Sequence, residues 1–189
     1  MSQTVRPRRS VLYMPGANTR ALEKARTLPA DALIFDLEDA VAPEAKEAAR
    51  TNVVLAAESR AYGKREIVIR CNGLGTPWGE ADIATIAQSG ADAILVPKVE
   101  SATQVTHVVS LLDTAGAPTT MAVWAMMETP KGILRAEEIA GAHPRLGLFV
   151  MGTNDLVKDM RARHTPTRLP MRGSSLPLIL RIQPPFHFS

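Results

Sequence analysis

The chain has a single cysteine, Cys71, in 189 residues. It therefore cannot close an internal disulfide, and there is no clustered Cys/His set of the kind a zinc site needs. One lone thiol fits a reducing, cytoplasmic setting. Aromatic residues make up only 4% of the chain. The arginines are scattered and not interleaved with stacking platforms, which argues against nucleic acid as a partner despite a net charge of +3 and a pI of about 9.3. A mild cationic excess suits a polyanionic small ligand equally well. No apolar run approaches the roughly 18 residues of a membrane span, so no membrane partner is expected. The first ten residues, MSQTVRPRRS, are basic but no apolar stretch follows them, unlike a secretory signal. A GxGxxG phosphate cradle is also missing. The glycine-rich GLGTPWG (73–79) lacks that spacing and reads as a rim loop, with Trp78 as a lid or packing residue.

What is present is ordinary for a globular domain: 46% hydrophobic and 22% charged residues, enough chain for one real core. The pattern alternates strand and helix. SVLYMPG (10–16), DALIFDLEDA (31–40), REIVIRCNG (65–73), ADAILVPKVE (91–100), TMAVWAMME (120–128) and LGLFVMG (146–152) read as strands. Helices are expected at 18–28, 43–63, 79–90, 101–116 and 130–142, with Asn18 and Ser101 as N-caps and Pro43 in a first turn. Continuous apolar strands separated by helices imply a parallel sheet buried on both faces. About six βα units fit either an open doubly wound sheet or a (β/α)8 barrel, which normally takes about 250 residues. After residue 171 the pattern stops. RGSSLPLILRIQPPFHFS (172–189) has three prolines and no visible strand-helix pair. It reads either as an irregular terminal segment or as a stretch where the normal sequence has been lost, as after a frameshift.

In parallel α/β folds, ligands bind at the C-terminal ends of strands. The residues that end the apolar runs are Asp36, Glu38 and Asp39, then Arg70 and Asn72, then Lys98 and Glu100, then Glu128, then Asn154 and Asp155. Two carboxylates on neighbouring strand ends, Glu128 and Asp155, suit a hard oxygen-seeking cation such as Mg²⁺. Each has a plainer reading, as a helix cap or an ion pair. Glu38 and Asp39 either support the metal's ligands or form a solvated turn. Arg70 can hold a carboxylate or stabilise an enolate oxygen. Its plainer reading is a salt bridge to Glu38 or Asp39. Lys98 divides in the same way. His107, mid-helix, and His143, before a proline, do not read as catalytic bases.

With these residues assembled, the chain resembles the citrate lyase β-subunit group of CoA-ester lyases, within the HpcH/HpaI aldolase family. The resemblance is carried by RSVLYMPGANTRALEKA (9–25), DALIFDLEDAVAPEAKEAAR (31–50), IVIRCNGLGTPWGEADI (67–83), ADAILVPKVESATQV (91–105), METPKGILRAEEIA (127–140) and MGTNDLVKDMRARHTP (151–166). It implies an α/β fold of TIM (β/α)8 type, here incomplete, over residues 1–171, followed by an irregular tail at 172–189. It implies Mg²⁺ on Glu128 and Asp155, substrate binding by Arg70 and Glu128, and CoA phosphates near Arg9, Arg20 and Lys24. The implied reaction is cleavage of a C–C bond in a 3-hydroxyacyl-CoA such as citryl-CoA or malyl-CoA, giving acetyl-CoA and a 2-oxo acid.

Relatives of this type continue through two more βα units and a C-terminal segment. An unclosed barrel exposes strand edges, so a homo-oligomer or a completing subunit is expected. Two alternatives stand beside the lyase. One is a metal-dependent aldolase of free 2-oxo acids that uses no CoA. The other is a non-catalytic truncated remnant or subunit.

Overall fold

The computed structural model describes residues 8–163 and the strand at 178–181. Six parallel strands follow one another in sequence and in space: β1 (Val11–Pro15), β2 (Ala32–Asp36), β3 (Glu66–Arg70), β4 (Ala93–Val96), β5 (Ala122–Met127) and β6 (Leu146–Met151). Between them run α1 (Thr19–Ala25), α2 (Lys46–Glu58) after a short 3₁₀ turn, α3 (Gly79–Ile86), α4 (Ala102–Thr114), and the pair α5 (Pro130–Leu134) and α6 (Ala136–Ala140). Helix α7 (Thr153–Asp159) follows β6. A doubly wound sheet needs its strand order to reverse at a switch point. Here the order never reverses, which leaves the barrel-type arrangement.

Two expectations need correction. The helix expected at 130–142 is two short helices, because Arg135 leaves helical geometry (φ −110°, ψ 15°) and turns its N–H onto Gly132 O. The stretch 172–189, expected to be irregular, contributes β7 (Leu178–Arg181), antiparallel to β6. The rest of that stretch lies outside the described residues.

The strands read as unbroken apolar runs because both faces are covered. Leu33, Phe35, Ile69, Ile94 and Val96 pack outward with Leu22, Val53, Ile83, Val108 and Leu112 of the helices. The alternate residues, Val11, Ala32, Ile34, Val68, Ala93, Leu95, Trp124, Leu148 and Val150, form a second cluster on the inner face. Side chains alternate with period two along a strand. Continuing the inner phase to the C-terminal ends gives Asp36 after Ile34, Arg70 after Val68, and Glu128 after Trp124 and Met126. The same periodicity that fills the core thus delivers charged groups to one rim. At the opposite end, Glu66 lies in the same phase. Both nitrogens of a fork on Arg8 grip its carboxylate, Nη2 to Oε1 at 2.7 Å, and the Arg8 guanidinium caps the Trp124 ring at 5.3 Å.

Trp124 is fully buried at the centre of the inner cluster. Trp124→Ala should cost about 3–5 kcal/mol in urea-unfolding experiments, since a large cavity would open there. Leu55→Ala, on a side chain 60% exposed, should change stability by less than about 0.5 kcal/mol. Equal effects would contradict the assigned core.

Candidate functional site

The β2–β3 rim is built around a buried guanidinium. Asp36 and Arg70 are direct register partners. Arg70 donates from Nε to Asp36 Oδ1 and from Nη2 to Oδ2, each at 2.6 Å. Both residues are almost fully buried. Asp36 also accepts from the backbone N–H of Glu38 (2.9 Å) and Ala40 (3.1 Å), so the carboxylate shapes the turn that follows its own strand. The third nitrogen, Nη1, lies 2.8 Å from Glu38 Oε2 and 3.6 Å from Asp39 Oδ2. The Glu38 contact is an ion pair without hydrogen-bond alignment. Burial alone would lower the Arg70 pKa, but the hydrogen bonds and charge of Asp36, with Glu38 behind them, raise it on balance. Arg70 is a permanent cation.

Glu128 is the opposite case. It is 1% exposed. Its Oε1 accepts the backbone N–H of Lys98 at 2.9 Å, and its Oε2 has no hydrogen-bond partner. Lys98 reaches this position with a left-handed backbone (φ +50°), an unusual conformation for a lysine. Across the site, a Cβ at position 152 would fall 2.5 Å from Glu128 Cβ and 2.6 Å from its Oε2, so only glycine leaves room for the carboxylate. Burial pushes the Glu128 pKa up from the usual 4.5 to about 7. The Lys98 N–H and Arg70 oppose the rise, while Glu38 and Asp155 reinforce it. Asp155 stands in the first turn of α7, partly buried. The N-cap of α7 is Gly152, with no side-chain bond, so the capping reading of the GTND stretch does not hold.

Among the described residues, no three His, Cys, Asp or Glu side chains gather as a ready-made metal cage. The donor set is Glu128, with its orphaned oxygen, and Asp155, close enough to act on its charge. Mg²⁺ takes one or two carboxylates and keeps its other positions for water and substrate, and that donor set fits it.

Sequence reasoning missed what holds the rim in place. Lys46, the first residue of α2, is buried, and its ammonium donates to Leu37 O, Glu38 O and Asn72 Oδ1, each at 2.7 Å. Asn72 is anchored in turn by Asp82, which accepts from its backbone N–H (2.8 Å) and its side-chain amide (2.7 Å). Trp78 packs over the Lys46 ammonium at 5.4 Å. One buried lysine thus joins the ends of β2 and β3. Its only trace in the sequence is a lysine at the start of a helix.

The remaining expected residues are dispersed. Lys98 Nζ lies 3.4 Å from Glu38 Oε1, and Glu100 pairs with Lys131 at 3.0 Å. Asn154 is exposed. Arg9 precedes β1, at the far end of the strands from Glu128, where its guanidinium binds Asp31. Lys24 is exposed in the last turn of α1 and Arg20 is exposed in its first turn. The structure does not bring Arg9 to the rim that holds Arg70 and Glu128.

The six sequential βα units agree with the comparisons to known proteins. The chain matches the HpcH/HpaI aldolase/citrate lyase family over residues 9–176 and belongs to it. It is 50% identical over 173 residues to the (3S)-malyl-CoA thioesterase of Cereibacter sphaeroides, covering 92% of this chain and 58% of that protein. It is 37% identical over 166 residues to the citrate lyase subunit beta of Escherichia coli, covering 85% of this chain and 55% of that one. The chain therefore spans little more than half the length of these relatives. The crystal structure of the protein CitE from Mycobacterium tuberculosis, in complex with magnesium, acetoacetate and coenzyme A, superposes with a TM-score of 0.67 at 29% identity. That match covers 85% of this chain and 54% of the other.

Because the Glu128 pKa is higher folded (about 7) than unfolded (about 4.5), the folded state holds the extra proton between those values. Without metal, stability should therefore fall as pH rises from about 4.5 to about 7, by up to roughly 3 kcal/mol. Unfolding of metal-free protein as a function of pH should show this slope in the wild type and lose it in Glu128→Gln. An identical slope in both would refute the assignment. In calorimetric titrations at pH 8, Glu128→Gln and Asp155→Asn should each abolish measurable Mg²⁺ binding.

Proposed function

We propose that this chain carries the metal-binding and acid-handling half of a Mg²⁺-dependent enzyme that cleaves the C–C bond of a 3-hydroxyacyl-CoA. Malyl-CoA would give acetyl-CoA and glyoxylate; citryl-CoA would give acetyl-CoA and oxaloacetate. The observation that carries this reading is the buried Glu128 carboxylate, with one oxygen committed to Lys98 N–H and the other unpartnered, on the rim that also holds Arg70.

Glu128 Oε2 and Asp155 would hold the cation, leaving positions for a substrate carboxylate and hydroxyl. Bound there, Mg²⁺ supplies Lewis-acid polarisation of those oxygens. Arg70 supplies fixed positive charge. Asp36 occupies its Nε and one N–H of Nη2; Nη1 faces Glu38 Oε2 at 2.8 Å without hydrogen-bond alignment and is the arm left to meet substrate. A base takes the hydroxyl proton as that carbon becomes the carbonyl of the 2-oxo acid, the C–C bonding pair moves onto the thioester as an enolate in the retro-Claisen sense, and protonation of the enolate gives acetyl-CoA. A guanidinium already locked in place stabilises that charge without reorganising at the moment of reaction. CoA is the expected carrier, and a second copy of the chain or another subunit is the expected cover for the open strand edges. Support for the latter is that the 37% identical relative is by name a subunit.

A second reading has its own support: the 50% identical relative is a thioesterase. Hydrolysis would use the same grip on the acid but would break the C–S bond, releasing free CoA and malate. One assay separates the two. With malyl-CoA and Mg²⁺, C–C cleavage yields glyoxylate and no free thiol, whereas hydrolysis yields free thiol and no glyoxylate. We expect glyoxylate. Free thiol alone would replace the lyase reading by hydrolysis, and turnover of free oxo-acid aldols without CoA would replace both. Arg70→Lys keeps the charge but loses the fork onto Asp36. It should reduce kcat/KM at least about 100-fold while leaving Mg²⁺ affinity near the wild-type value. Wild-type kinetics would confine Arg70 to a structural role.

A further inference from the structure

Tyr13 sits in the inner phase of β1, two residues after Val11, in register with Ile34 of β2 and so two residues short of the Asp36–Arg70 pair. Its ring lies against the guanidinium, 5.2 Å from Arg70 Cζ. The stack orients the phenol, and its hydroxyl reaches Met126 Sδ at 3.7 Å. Arg70 Nη1 reaches the same sulfur at 3.6 Å. Met126 is itself nearly buried. A thioether is a weak acceptor. A phenol O–H and a guanidinium N–H thus converge on one weak acceptor, and the other neighbours of Nη1, Glu38 Oε2 at 2.8 Å and Asp39 Oδ2 at 3.6 Å, are ion pairs without hydrogen bonds to it.

Donors that converge on a point at an active rim are the geometry of an anion seat. We propose, building on the function above, that Tyr13 Oη and Arg70 Nη1 together receive an anionic oxygen of the substrate's acid portion, which displaces Met126 Sδ from the point where the two donors converge. Tyr13 is then a substrate-binding residue, and the seat is specific for a carboxylate oxygen. The surroundings keep the phenol a donor: burial raises its pKa, with Asp36 and Glu128 reinforcing the rise and Arg70 opposing it. The alternative, that Tyr13 only packs against Arg70, makes a different prediction, because phenylalanine retains the ring and its stack.

The test is calorimetric titration of oxaloacetate into the full-length chain at saturating Mg²⁺, on wild type, Tyr13→Phe and Met126→Leu. The hydrogen bond from Tyr13 to a charged oxygen predicts that Tyr13→Phe weakens oxaloacetate about tenfold or more, with Tm and Mg²⁺ affinity unchanged. Met126→Leu should bind with close to wild-type affinity, because the side chain at 126 is displaced in either case and contributes no bond to the bound oxygen. Equal affinity in wild type and Tyr13→Phe overturns the seat, as does failure of the wild type to bind oxaloacetate. A Tyr13→Phe that loses Mg²⁺ affinity in parallel also overturns it, since the hydroxyl would then act on the rim as a whole. Malyl-CoA turnover is read separately. The tenfold effect without any turnover would leave the seat standing and remove the lyase reading. Turnover with no effect on oxaloacetate would do the reverse.

Discussion

The rim depends on the fork between Arg70 and Asp36. It joins adjacent strands at a register pair, with both partners removed from water. Burying two charges is tolerable only when geometry and extra hydrogen bonds satisfy them, and here they do: Asp36 takes two guanidinium N–H groups and two backbone N–H groups. Breaking either side would leave an uncompensated charge in the core. The fork also neutralises a crowd of acids. Without Arg70, the partly buried Glu38 and the buried Glu128 would repel each other and Asp36 across a space with little water to screen them. The acidic character of the site is therefore a consequence of the arginine.

Around this fixed pair the site is graded. Asp36 has both oxygens committed. Glu38 has one ion pair to Arg70 and a longer one to Lys98. Glu128 has one committed oxygen and one unpartnered. The progression runs from structural carboxylate to ligand-ready carboxylate within a few residues of each strand end. Lys46 acts from outside the sheet, pulling two consecutive carbonyls of the β2 turn towards Asn72 of β3. A rigid rim of this kind limits how far a substrate oxygen can wander, which suits chemistry that depends on positioning.

Much of this was legible in the sequence, and the limits were physical ones. Apolar runs bounded by Gly, Pro and acids located all six parallel strands, because each run had to be buried on both faces. The ends of those runs pointed to Arg70 and Glu128, since period two continues past the last apolar residue, while Glu38 and Asp155 follow in the turn after β2 and the first turn of α7. Partner choice was harder. The plainer reading of Arg70 named Glu38 and Asp39, whereas its main partner is Asp36, set by register between two strands 34 residues apart. Lys46 was invisible because a lysine in a first helical turn is usually solvated, and only the fold shows three carbonyl oxygens closing on it. Arg9, linked to CoA phosphates by resemblance alone, binds Asp31 at the N-terminal end of the strands. β7 was hidden in a short apolar run among prolines.

The bond that orients Glu128 comes from the main chain of Lys98, and this has a consequence for how the protein can drift. A side-chain donor can be deleted by one substitution; a backbone N–H survives every replacement except proline. Position 98 is therefore free to vary chemically, within the residues that accept a positive φ, and glycine or asparagine would hold that geometry with less strain. Position 152 has no such freedom, since any side chain there would collide with Glu128. The residue most exposed to selection on behalf of this carboxylate is the one that contributes no side-chain atom to the site.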